Sequence, residues 1–449
     1  MTNQAPADSH GTAPAGFPAP VRTEADAPAF PAAFAPVTAR DRWGRLRRAV
    51  RHHVPVLLLY GTLKSIGFTV FLLLLHSAGD YRRKHPRFGG GAHPWDVLAT
   101  WDGWWYQQVA AHGYHPALVP VPGATGLITL EGNSAAFFPL YPAVMRLVSE
   151  CTGLGLYGAG LLVSVVASFV AALGIHAVTA RLGGRRAGLA AAGLWAVWPG
   201  SGMEWSVYSE SLYVALAVWA CHAVMSRRWL AAGILTCAAG LTRPTAAALV
   251  AAVTVAALLT LVRQRAEPPL RARPRQWDAV LRPSAAIVIA PLGLLGYLLW
   301  VGHRMGDPGG YFKLQEGAWA HKFDYGAYTL KVFESVPVGH FGYLFASPYA
   351  DIVSVGTVLL ALLLIPPLIR LRPPAVLVVH TVLTLALVLG GQQIFANVSR
   401  YLLPAFPLFI PLALAMRGLG ARSRFTVLAL AAVASGSYAG YVLFELGVP

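Results

Sequence analysis

The sequence predicts an all-α, polytopic membrane protein, and three observations carry that expectation. Of 449 residues, 56% are hydrophobic and only 12% are charged, where a soluble protein is charged at about a quarter of its positions. The mean hydropathy of +0.55 excludes a soluble enzyme. Apolar runs of ~18 or more residues recur, the length that crosses a ~30 Å hydrocarbon core. The net charge of +16 would suggest nucleic acid in a soluble domain, but its placement along the chain gives it another meaning.

Residues 1–40 are rich in Ala and Pro and show no helical period, which predicts a disordered cytoplasmic tail ahead of a transmembrane domain over 41–449. The tail lacks the charged start and apolar core of a signal peptide. A basic stretch then carries Arg40, Arg42, Arg45, Arg47, Arg48 and Arg51, immediately before a first span at about 54–76. Basic residues flanking a first span stay on the cytoplasmic side, which places the N-terminus inside.

Further spans are expected at about 156–180, 187–203, 208–225, 229–241, 244–262, 283–301, 352–369, 375–391, 401–416 and 424–444. That makes about eleven transmembrane helices, with the C-terminus outside. Stretches 187–225 and 229–262 exceed one span, and each is interrupted, at Trp198-Pro199-Gly200-Ser201-Gly202 and at Arg243-Pro244. Reading both as hairpins keeps Arg263, Arg265, Arg271, Arg273, Arg275 and Arg282 inside, as the positive-inside rule asks. The 229–241 half is short, so a full span and a re-entrant helix both stay open. Most carboxylates, among them Asp102, Glu204, Glu210, Asp307 and Asp351, fall at the opposite, outer face. Two long extracytoplasmic loops, 77–155 and 302–351, are expected to carry interfacial helices. Cys151, Cys221 and Cys237 support neither a disulfide framework nor a zinc site. His112 and His115 lack a third ligand, so no metal site is expected, and no Walker-type motif is present.

The run Thr100–Tyr114 is the strongest local signal. On a helix, Asp102, Trp105, Tyr106 and Val109 share one face, which sets a carboxylate beside aromatic surface near the membrane boundary. A headgroup-level Trp belt explains the same pattern, and a lipid-borne substrate would arrive at this depth. Glu210 lies in the first turn of an outer helix, where it either caps the positive helix end or takes part in chemistry. Arg243 and Arg400 stand at outer ends of spans, where a guanidinium needs an internal carboxylate or an anionic ligand. Phosphate fits the planar guanidinium fork.

These motifs resemble one known family. Trp101-Asp102-x-x-Trp105-Tyr106…Gly113-Tyr114, Phe137-Phe138-Pro139-Leu140-Tyr141-Pro142, Tyr208-Ser209-Glu210-Ser211-Leu212, Arg243-Pro244, Gly306-Asp307-Pro308…Phe312…Gln315…Trp319 and Arg400-Tyr401 are similar to the PIG-V (GPI mannosyltransferase II) family and its bacterial relatives. The likeness runs over roughly residues 54–416, and Gly103 stands where a Ser is expected in close relatives. The resemblance implies a GT-C glycosyltransferase that uses a polyprenyl-phosphate sugar, with Asp102 as catalytic carboxylate. Arg243, Arg400, Trp105, Tyr106, Glu210, Gln315 and Tyr401 are then the expected donor-phosphate and substrate contacts.

The implied activity is an inverting mannosyltransferase in the cell membrane, acting at the extracytoplasmic face on a lipid, glycan or protein acceptor. No cofactor is expected, and whether a divalent cation assists is left open. A transporter or flippase for a lipid or small solute is the alternative, disfavoured because Lys64 is the only clear charge within a span. An inactive scaffold would let Asp102, Arg243 and Arg400 lie apart. For the topology, a cysteine placed by Tyr325→Cys in a cysteine-free background should react with an impermeant maleimide on intact cells. One placed by Arg265→Cys should react only after permeabilisation.

Overall fold

The computed structural model describes residues 39–79, 87, 90–114, 120–122, 128–130, 133–266 and 276–444. The chain divides into residues 1–52 and 53–449, and of the first unit only helical backbone from Ala39 is described. The Ala- and Pro-rich tail to residue 38, His115, Arg271, Arg273 and Arg275 lie outside the described residues.

The protein is a helical, multi-span membrane protein. Helix α1 is Ala39–Ala78, and α2, Asp102–His112, follows in the connection after it. Then come α3 (Leu140–Thr152), α4 (Leu156–Gly183), α5 (Arg185–Ala196), α6 (Glu210–Met225), α7 (Trp229–Gly240) and α8 (Ala246–Ala266). The second half holds α9 (Gln276–Ile289), α10 (Leu292–Met305), α11 (Gly310–Trp319), α12 (Ala327–Ser335), α13 (Pro348–Arg370) and α14 (Ala375–Leu389). It closes with α15 (Val398–Tyr401), α16 (Phe409–Ala415) and α17 (Ala421–Ser437). Two small antiparallel ribbons add strand to the all-α expectation: β1 (Pro120–Pro122) pairs with β2 (Ile128–Leu130), and β3 (Lys322–Phe323) with β4 (Gly391–Gln392).

Among the described residues, five helical stretches are long and apolar enough to cross a membrane: His53–Ala78, Leu156–Gly183, Ala246–Arg265, Asp278–Met305 (α9 and α10 together) and Pro348–Arg370. Two bent pairs bring the number to seven if each is one span, and α7 and α14 are apolar but shorter. The expected break at Trp198–Gly202 is a 3-10 turn, Pro199–Trp205, which meets α6 at 102°. Pro199 cannot donate a helical hydrogen bond, which ends α5 there. The break at Arg243-Pro244 separates α7 from α8 for the same reason. The second bent pair, Phe395–Tyr401 with Phe406–Gly418, turns by 75° around Pro404 and Pro407.

The faces of α4 show how the bundle sorts its residues. Ala159, Val163, Ala167, Ala171 and Ile175 recur every fourth position and are buried, a ridge of mostly small side chains. Leu162, Val166 and Val170, on another side, are exposed apolar residues, as a lipid-facing surface requires. Helices α1 and α17 approach through glycines: a Cβ on Gly436 would lie 2.3 Å from the Gly67 carbonyl oxygen. Gly436→Val should therefore cost about 1–3 kcal/mol by overpacking and lower the thermal midpoint in detergent. Gly356→Val, where a Cβ meets nothing within 4 Å, should leave the midpoint near wild type.

Candidate functional site

Four chain breaks meet at one place: the start of α2, the elbow before α6, the end of α15 and the α7–α8 turn. Asp102 opens α2, where its charge complements the positive helix end. Its predecessor Trp101 sits at φ 52°, ψ −114°, a left-handed backbone that a non-glycine residue adopts only at a cost of about 1–3 kcal/mol. The Trp101 amide donates to the Arg87 carbonyl at 2.8 Å, and its own carbonyl accepts from Trp104 and Trp105, so the strained turn is held on both sides. Gly103 follows because a Cβ there would stand 3.0 Å from the Val207 carbonyl oxygen.

Around Asp102 the charges alternate. Arg400 Nη1 donates to Asp102 Oδ2 at 2.9 Å and lies 3.3 Å from Glu210 Oε1. Arg243 Nη1 lies 2.5 Å from the same Glu210 oxygen. The side chains of Arg400 and Glu210 are 3% and 2% exposed, while Asp102 remains 23% exposed. The carboxylate is therefore the member of the chain that a solute can reach. A unit pair at 4 Å gains about 4 kcal/mol at an effective dielectric of about 20, enough to offset much of the burial cost.

Tyr401 takes a hydrogen bond from Arg400 Nη2 at 3.1 Å, and its ring lies 4.8 Å from the Arg400 guanidinium and 5.7 Å from that of Arg243. Tyr208, whose ring is 5.2 Å from the same Arg400 group, donates to the Thr100 carbonyl at 3.0 Å and so ties the elbow to α2. Tyr106 is buried, 2.7 Å from Ser209 Oγ, and Arg243 reaches that hydroxyl at 3.4 Å. Burial pushes the Tyr106 phenol up, so it serves as a neutral hydrogen-bonding group.

The sequence-derived residues thus converge in part. Asp102, Arg243, Arg400, Glu210 and Tyr401 form one cluster, whereas a scaffold reading had them apart. Glu210 keeps its place in the first turn of α6, and its carboxylate also meets both guanidiniums. Tyr106 supports the cluster from behind. Gln315 donates to Tyr311 Oη at 2.9 Å and to the Ala136 carbonyl at 3.4 Å, and so fastens α11 to the Ser134–Ala136 turn. Trp105 faces an aromatic group instead, with Phe137 and Trp319.

Sequence reasoning missed Ser209 and Tyr208 as contacts, although both lie in a run it singled out, and it missed His321, which has no spacing signal. Burial and the charge of Arg400 hold the His321 imidazole down to about 4. Lys64 was read as a lone span charge, yet Glu204 is its partner. Lys64 Nζ is 3.0 Å from Glu204 Oε2, donates to the Ser201 carbonyl at 2.7 Å and lies 4.0 Å from the Trp205 ring centroid. Tyr60 donates to the same carboxylate. This pair fixes the 3-10 turn to α1, and the turn in turn backs Arg400: Trp198 Nε1 donates to the Ser399 carbonyl at 2.8 Å, and a Cβ on Gly200 would lie 2.4 Å from the Arg400 amide nitrogen. Among the described residues no group of three or more His, Cys, Asp or Glu is placed to hold a metal ion.

No family model matches the chain, and no curated protein does. Among solved structures it is similar to ArnT from Cupriavidus metallidurans in the apo state, at 13% identity and TM-score 0.44, over 86% of this chain and 62% of that one. ArnT from the same organism bound to undecaprenyl phosphate gives 14% identity and TM-score 0.45, over 82% and 61%. The oligosaccharyltransferase AglB from Archaeoglobus fulgidus, in complex with an inhibitory peptide and a dolichol-phosphate, gives 13% and 0.42, over 88% and 56%. The chain therefore spans less than two thirds of the length of each of these structures.

Removing one member of the Lys64–Glu204 pair leaves a buried charge without its partner. Lys64→Met and Glu204→Met should each destabilise by about 3–5 kcal/mol, and the double variant by clearly less than their sum. Thermal midpoints in detergent for the four proteins of the cycle check this.

Proposed function

We propose that the protein is an inverting glycosyltransferase, a mannosyltransferase, that moves a sugar from a polyprenyl-phosphate donor to a hydroxyl of a lipid, glycan or protein acceptor. The reading includes the PIG-V-like specificity, about eleven spans, a cytoplasmic N-terminus and a site at the extracytoplasmic face of the cell membrane. One observation carries it: a reachable carboxylate, Asp102, is held by a buried guanidinium that belongs to a two-arginine cluster at the bends of broken helices.

The chemistry follows from the groups. Asp102 takes the acceptor hydroxyl's proton while that oxygen attacks the anomeric carbon from the face opposite the phosphate. The bond from that carbon to the phosphate oxygen breaks, its electrons stay on the phosphate, and the configuration inverts. Arg400 and Arg243 hold the departing phosphate, whose negative charge grows as the bond breaks. Phosphate is a good leaving group, so a second carboxylic acid of the kind glycosidases use is not required. Glu210 keeps the two guanidiniums together. The four charged side chains sum to zero. An arriving phosphate thus competes with Asp102 for Arg400, and binding the donor frees the base. The prenyl chain supplies affinity at about 0.8 kcal/mol per buried CH₂ without a nucleotide-binding fold.

Labelled polyprenyl-phosphate mannose and an acceptor pool test this with the purified protein. Asp102→Asn should lower kcat by about 10²–10⁴-fold with little change in KM for the donor, at an unchanged thermal midpoint. Arg243→Lys should raise the donor KM, since a single ammonium cannot replace the planar fork. Full transfer by Asp102→Asn sinks the assignment. The second reading, a transporter or flippase, has the Lys64–Glu204 pair within the spans in its favour. Solute movement in vesicles without sugar transfer would select it.

A further inference from the structure

Beside the charge cluster lies a set of rings whose polar atoms remain unused. Trp105, one turn along α2 from Asp102, stacks on Phe137 with centroids 5.6 Å apart and planes at 16°. Trp319, at the end of α11, meets Trp105 edge-on at 5.7 Å and Phe137 edge-on at 5.6 Å. Trp105 and Trp319 are each half-buried.

Trp319 Nε1 is nonetheless buried without a hydrogen-bond partner among the described residues, and so is His321 Nε2 two residues on. An unpaired buried donor or acceptor costs about 1–3 kcal/mol each. Between them Ala320 adopts φ 53°, ψ 30°, a left-handed backbone that costs a non-glycine residue about 1–2 kcal/mol. The turn is fixed from three sides. The Ala320 amide donates to the Glu316 carbonyl at 3.1 Å, the His321 amide to the Gln315 carbonyl at 3.0 Å, and Gln392 Nε2 to the Ala320 carbonyl at 3.1 Å. Apolar packing alone requires neither the strain nor the two orphaned nitrogens. The imidazole, held down to about 4, is neutral near pH 7, so it is a poor base that still makes neutral hydrogen bonds. Burial is the larger cause of that shift and the charge of Arg400 the smaller.

A ligand that satisfies these features has C–H bonds on its face, for the rings, and hydroxyls at its rim, for the nitrogens. We propose that Trp105, Trp319 and His321 form a pyranose-binding subsite beside Asp102 and Arg400. Ring faces pack against the sugar, Trp319 Nε1 donates to one hydroxyl, and His321 Nε2 bonds to another. The subsite rests on the glycosyltransferase reading and takes either the donor sugar or a sugar of the acceptor.

The test uses the full chain in nanodiscs, with undecaprenyl phosphate, undecaprenyl-phosphate mannose and methyl mannoside as probes. Wild-type protein should bind the sugar-bearing lipid about tenfold more tightly than the bare lipid phosphate. Trp319→Phe, which keeps the ring and loses the N–H, and His321→Ala should each remove about fivefold of that difference and leave bare-lipid affinity unchanged. That result places the donor sugar in the subsite. Loss of methyl mannoside binding to the lipid-loaded protein, with the lipid difference intact, places the acceptor sugar there. If both variants keep both properties, or wild-type protein gains nothing from either sugar, the subsite is overturned and the glycosyltransferase reading stands. If wild-type protein binds neither lipid, that reading falls and the subsite with it.

Discussion

Arg400 and its two carboxylates set the terms for the rest of the site. A guanidinium 3% exposed at the end of a membrane helix is tolerated only when opposite charge reaches it at hydrogen-bond distance. Asp102 comes from the start of α2, Glu210 from the start of α6, and Arg243, which shares Glu210, from the turn between α7 and α8. Each needs its helix to stop at that depth. The bends of 102° and 75° are therefore part of the electrostatics: they bring helix ends, rather than helix sides, to one point.

The elements that hold this point are strained or closely packed for the same reason. Trp101 adopts a left-handed backbone and is held by Arg87, Trp104 and Trp105. Gly200 lies so near the Arg400 backbone that no side chain fits between them. Behind it, Lys64 and Glu204 anchor the same 3-10 turn to α1. A buried pair of that kind contributes little net stability, but it fixes geometry, because either charge alone would be costly.

Much of the architecture was legible in the sequence because membrane insertion writes itself into composition. The Arg243-Pro244 and Trp198-Pro199 breaks were readable because proline ends a helix wherever it falls. The alternation at Asp102, Trp105 and Tyr106 was readable because a helical period is local. What resisted reading involved partners distant along the chain. Glu210's place in the first turn of α6 is a sequence property, whereas its pairing with Arg243 and Arg400 is not. Gln315, from a motif of the same resemblance, bonds Tyr311 and the Ala136 carbonyl and so fastens α11. His321 gave no signal, since an isolated histidine acquires meaning only from the burial and field around it.

By itself the sequence determined the solvent this chain lives in, the places where its helices break, and the side chains able to carry charge near the helix ends. Those follow from hydropathy, proline and the positive-inside bias, which act over a few tens of residues. Only the tertiary structure decided which charges neutralise which: Lys64 with Glu204, and Arg400 shared between Asp102 and Glu210. Coulomb energy depends on distance in space. Asp102 and Arg400 are 298 positions apart in the chain and 2.9 Å apart in the fold, and no local pattern encodes that meeting.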